Sequence, residues 1–65
     1  MLFTLTDSWD PGTPLSLHRA GLPAALSTFG ANLPTIRTVT RLLDEGETPV
    51  TVELTNRTIT IARKD

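Results

Sequence analysis

Val50-Thr51-Val52-Glu53-Leu54-Thr55-Asn56-Arg57-Thr58-Ile59-Thr60-Ile61-Ala62 decides the fold class. Val50, Val52 and Leu54 alternate with polar neighbours, and so do Ile59 and Ile61, which is the period of half-buried strands. If Asn56-Arg57 forms the loop, Thr55 faces Thr58, Leu54 faces Ile59 and Val52 faces Ile61. Every apolar pair then lands on one face of an antiparallel hairpin. Arg57 fits this two-residue turn poorly, because a tight primed turn favours glycine at that position.

An isolated hairpin is marginal in water, so a further strand and a covering layer are expected. The strand is at the other end of the chain, where Phe3 and Leu5 alternate with Leu2, Thr4 and Thr6. Asp7-Ser8-Trp9-Asp10-Pro11-Gly12 follows, rich in turn formers, and reads as a loop. Past Pro14, the Ser16 hydroxyl is placed to cap a helix that begins at Leu17 and carries His18 and Arg19 in its first turn. Pro23 would kink or restart this helix. Leu22, Leu26 and Phe29 share its apolar face, and Gly30 stops it.

A second helix is predicted from Leu33-Pro34 to Gly46, with Ile36, Val39 and Leu43 on one stripe and Leu42 beside it. The β-branched run Thr35, Ile36, Thr38, Val39 and Thr40 argues for a competing short strand from Thr35 to Thr40. The predicted order is therefore β-α-(α)-β-β, a small two-layer α+β unit with a helical layer on one sheet face and the C-terminal hairpin as its best-defined part. Residues 1–65 are expected to form a single small domain or the N-terminal fragment of a larger subunit.

Sixty-five residues with no cysteine and one histidine offer neither a disulfide framework nor a zinc site. A chain this short buries only about 60% of the surface its unfolded form exposes, so a partner surface is a natural source of added stability. The net charge of −1 excludes a strongly basic free-standing nucleic-acid binder. No apolar run reaches the roughly 18 residues of a membrane span, and Met1-Leu2-Phe3-Thr4 lacks the start of a signal peptide. An intracellular, cytoplasmic protein is expected. Asn56-Arg57-Thr58 matches the glycosylation pattern, which has no meaning without secretion.

Little in the chain suggests catalysis. His18 is the only imidazole, and Ser16, two residues away, would point elsewhere on a helix. Asp44, Glu45 and Glu47 cluster at a helix end, where Asp44 or Glu45 is spaced to pair with Arg41. No glycine-rich phosphate loop occurs, and Asp10-Pro11-Gly12 reads as a turn. No catalytic site, metal site or cofactor is assigned. Arg37 and Arg41 fall on one helical face with Arg19 near the first helix start, and these three are the candidate nucleic-acid contacts. Trp9 and His18 are the candidate partner contacts.

The opening strand Phe3-Thr4-Leu5-Thr6, Pro14, the hexapeptide Leu17-His18-Arg19-Ala20-Gly21-Leu22 and a later Thr-rich strand pair come in a telling order. That order resembles the extreme N-terminus of large subunits of type I CRISPR effector complexes (Cascade), in particular the myxobacterial-type branch. The resemblance covers the first third of the chain by motif and the remainder by pattern. It implies a non-catalytic role in an RNA-guided complex, with other protein subunits and guide RNA or target DNA as partners. Those subunits are several times longer, which implies a split subunit or a fragment. The rival class is a small intracellular interaction module, phage-encoded or accessory, docking through a sheet edge or an apolar helix face.

Overall fold

A computed structural model describes residues 2–64. Within them the order is β1 (Leu2–Asp7), β2 (Asp10–His18), a single 3-10 turn (Arg19–Gly21), α1 (Leu22–Thr28), α2 (Leu33–Asp44), β3 (Val50–Glu53) and β4 (Thr58–Arg63). The strands form one antiparallel sheet in the order β2-β1-β4-β3, so the fold is α+β with a C-terminal hairpin. As expected, the first strand joins the hairpin, pairing Leu5 with Ile61 and Thr6 with Thr60.

The core follows from strand alternation. Phe3 and Leu5 of β1, Ile59 and Ile61 of β4, and Val50 and Val52 of β3 are buried on the inner face, where Leu22, Leu26, Ile36, Val39 and Leu43 of the helices cover them. Phe3, Leu5, Leu22, Leu26, Ile59 and Ile61 are fully enclosed, and burial of each contributes about 1.5–3 kcal/mol. Thr4, Thr6, Ser16, Thr51, Thr58 and Thr60 lie on the opposite, uncovered face by the same alternation.

The Thr-rich segment from Thr35 to Thr40 is helix, not strand. Its apolar residues recur at three- and four-residue spacing, so only a helix sends Ile36, Val39 and Leu43 to the core together. Two of its three threonine hydroxyls bond within the helix: Thr38 donates to the Pro34 carbonyl at 3.0 Å and Thr40 to that of Ile36 at 2.9 Å. Asn32 caps the N-terminus by accepting the Thr35 amide at 3.0 Å. Both helices end in the same six-to-one bond pattern. Ala31 N–H reaches the Leu26 carbonyl past Gly30, and Glu47 N–H reaches that of Leu42 past Gly46. These two glycines hold φ of 101° and 92°.

Three expectations are corrected. First, Asp7–Gly12 is not one loop and no helix begins at Leu17: residues Asp10–His18 are a nine-residue edge strand. No strand pairs with its outer side among the described residues, which is where Pro11 and Pro14 are tolerated, and the register shifts between Leu5 and Asp7 to absorb the Pro-Gly-Thr-Pro segment. Second, Ser16 caps nothing. It sits opposite Thr4, and its hydroxyl accepts from the Lys64 ammonium at 2.9 Å. Helix α1 starts at Leu22, and Pro23 lies in its first turn, where a missing N–H costs nothing. Third, the hairpin pairs Val52 with Ile59 and Val50 with Ile61, two residues from the predicted register. Leu54-Thr55-Asn56-Arg57 forms the connection, closed by Leu54 N–H to the Arg57 carbonyl at 2.8 Å. The longer loop removes the positive φ that a two-residue turn would force on Arg57, and a shift of two keeps every side chain on its face.

Candidate functional site

Two surfaces gather the sequence-predicted contact residues other than His18. The first is the outer stripe of α2. Arg37 and Arg41 are exposed, one turn or about 6 Å apart along the axis, and neither pairs with a carboxylate among the described residues. Asp44 continues the stripe, and its partner is Arg19, not Arg41. Arg19 grips it with two parallel bonds, Nε to Oδ1 at 2.8 Å and Nη2 to Oδ2 at 2.9 Å. The Arg19 hydrogen bond, with its charge as a smaller contribution, holds the Asp44 carboxyl below the usual aspartate range; the same bond raises the Arg19 guanidinium. Arg37 and Arg41 thus share one side of α2 with Asp44 and Glu45 at its end, and Arg19 fastens the strand-to-helix junction to that end.

The second surface lies where the β1–β2 turn meets the hairpin loop. Ser8 N–H donates to the Thr58 carbonyl and Ser8 Oγ accepts the Thr58 amide, both at 2.9 Å, so the turn is laced onto the start of β4. Trp9 then donates its indole Nε1 to the Asn56 carbonyl at 2.7 Å. The Arg57 guanidinium covers one face of the indole 3.6 Å from its centroid, lies 5.3 Å from the Phe29 ring centroid, and pairs with Asp7 at 3.0 Å. Trp9 remains 63% exposed, leaving its other face open to solvent. A cleft of about 240 Å³ runs beside it, lined by Trp9, Phe29, Leu54 and Arg57 among others.

His18 belongs to neither surface. It ends β2 opposite Leu2, on the uncovered sheet face. Ser16 and His18, expected on different sides of a helix, instead share that face as alternate residues of a strand. Arg57 and Asp7 were missed as site residues. The signal was present in outline: pairing β1 with β4 brings the Asp7-Ser8-Trp9 turn against Asn56-Arg57, but only the tertiary structure fixes that pairing.

Among the described residues no three His, Cys, Asp or Glu side chains converge as a metal site, and no helix is long and apolar enough to cross a membrane. Set against models of protein families, curated proteins and solved structures, the chain matches none of them.

Proposed function

We propose that this chain is a non-catalytic subunit, or part of one, of a cytoplasmic RNA-guided CRISPR surveillance complex, where it contributes to assembly and to holding nucleic acid. The observation that carries the nucleic-acid part is the α2 stripe: Arg37 and Arg41 are exposed and unpaired among the described residues, with Arg19 clamped at the same end of the helix. Guanidiniums free of carboxylates are suited to bidentate contact with phosphate. The resemblance of Leu17–Leu22 supports the type of assembly. That hexapeptide joins sheet to helix here, with Leu22 fully buried and Arg19 tied to the arginine-bearing helix.

The test is purification of the tagged protein from its source cells in gentle salt, with mass spectrometry of bound proteins and sequencing of bound RNA. Repeat-derived guide RNA recovered with other effector subunits is the expected result. Replacing Arg37 and Arg41 together by alanine should weaken retention and reduce the salt slope for a single strand by about 1.4, two phosphates' worth. An unchanged slope would sink the role given to the stripe.

Trp9 favours a second reading, a protein-docking module without nucleic acid. A large aromatic held rigid by Asn56 and Arg57 while still exposed has the form of an interface anchor. One stoichiometric protein partner and no RNA in the same purification would select this reading.

A further inference from the structure

The two edges of the sheet are not equivalent. In β2 the outer edge is interrupted by Pro11 and Pro14, and its register with β1 is broken between Leu5 and Asp7. Prolines and irregular register are the usual means of keeping an edge from pairing. The opposite edge, β3, is short and is preceded by the cis Thr48–Pro49 bond, but the strand itself is uninterrupted. Val50-Thr51-Val52-Glu53 is regular, contains no proline or lysine, and alternates buried and exposed residues.

The ladder parity identifies the groups that β3 leaves unused. Leu54 N–H bonds to the Arg57 carbonyl, so the bonded pairs continue through Val52 with Ile59 and Val50 with Ile61. Thr51 and Glu53 therefore turn their N–H and C=O groups outward, away from β4. Four main-chain groups line the rim, spaced for one more strand.

The rim is acidic. Glu47 precedes the strand and Glu53 ends it. Both are exposed, and neither has an ion pair among the described residues. Arg63 of β4 lies one strand inward, its amide donating to Thr48 Oγ1 at 3.0 Å. In the fullest antiparallel overlap of two copies, Thr51 of each faces Glu53 of the other, so self-pairing sets no cation against either glutamate and leaves the acidic rim uncompensated.

We propose that β3 is an acceptor edge: an extended, lysine- or arginine-bearing segment of a different protein adds to it as a fifth strand, bonding the main chain of Thr51 and Glu53 and setting its cations against Glu47 and Glu53. The unpaired rim supplies affinity, and the two glutamates select a basic strand. This docking uses neither the α2 stripe nor Trp9, so it stands or falls separately from the nucleic-acid reading.

The test uses the whole chain and a fluorescein-labelled, acetylated and amidated peptide of about seven residues that alternates lysine and valine. Hydrogen exchange at saturation should slow at the Thr51 and Glu53 amides by about tenfold or more, and a peptide with glutamate in place of lysine should bind at least about tenfold more weakly. Thr51→Pro deletes one outward donor that the fold itself does not use, so it should keep the native circular dichroism spectrum and weaken the lysine peptide about tenfold. Should that variant fail to fold, Glu47→Lys with Glu53→Lys decides the matter by inverting the preference between the two peptides. Unchanged exchange at both amides, equal binding of both peptides by the unaltered chain, or full-strength binding by a folded Thr51→Pro overturns the proposal. So does protection that rises with protein concentration in the absence of peptide, which would mean self-pairing.

Discussion

Arg57 and Trp9, 48 residues apart in sequence, stack with the guanidinium carbon 3.6 Å from the indole centroid. Asp7 holds the same guanidinium from a second direction, and both of those charged side chains are largely buried. The arrangement joins the first turn of the sheet to its last loop, and the sole tryptophan reports on it.

Arg57→Ala should red-shift and broaden Trp9 fluorescence and destabilise the fold by about 1–2 kcal/mol, the loss of a partly desolvated cation–π contact and of the Asp7 pair. Arg57→Lys should recover only part of this, because an ammonium cannot stack flat on the indole while also reaching Asp7. Urea unfolding followed by both fluorescence and circular dichroism measures it; an unchanged midpoint in Arg57→Ala would show that the stack contributes nothing.

The Arg19–Asp44 pair predicts an acid-side effect. The folded pKa of Asp44 is depressed, so the unfolded chain takes up its proton first as pH falls. The pair's contribution is complete above the ordinary aspartate value of about 3.9 and disappears as pH drops through the lower folded value. Thermal midpoints measured from pH 6 down to 2 should fall less steeply below about pH 4 in Asp44→Asn than in the unaltered protein. Parallel curves would remove Asp44 from the acid response.

Pro23 offers a sharp distinction between helix start and helix interior. In an interior position its replacement by alanine would relieve about 3 kcal/mol. In the first turn of α1, where it stands, Pro23→Ala should alter stability by no more than about 1 kcal/mol. Chemical denaturation separates these values easily.

Leu26 is fully enclosed between the helices and the sheet. Leu26→Ala should cost about 2–5 kcal/mol. A domain of this length has about 3–10 kcal/mol in total, so the variant should be largely unfolded at 37 °C. A cooperative native transition near the original midpoint would mean that the core closes around the missing atoms.

The parts of the fold legible from sequence are those in which one periodicity governs a whole element. The stripe Ile36, Val39, Leu43 pointed to α2 against a competing strand from Thr35 to Thr40, and the alternation of Val50, Val52, Ile59 and Ile61 specified the hairpin faces. The hairpin register slipped by two because alternation has a period of two and cannot distinguish such shifts; turn backbone geometry at Arg57 decided it. Strand β2 was hidden because Pro11, Gly12 and Pro14 are turn formers everywhere except on an unpaired edge, and edge status is a tertiary property. The same limit concealed the Asp7–Arg57–Trp9 cluster. Arg37 and Arg41 were placed on their shared face by helical spacing alone, whereas the Arg19–Asp44 grip depended on how the strand-to-helix junction met α2.

Strands β1 and β4 are neighbours, with Phe3 across from Arg63. The two ends of the described chain consequently leave the sheet side by side, from its two central strands. A unit built this way behaves as a stem-closed insert: it can be spliced into a surface loop of a larger host, or extended at either end, without threading anything through its interior. Its inner strand β1 gains its second neighbour only when β4 is made, so synthesis yields no finished sheet until β4 has emerged, and any truncation that reaches β4 takes away part of the first strand's support.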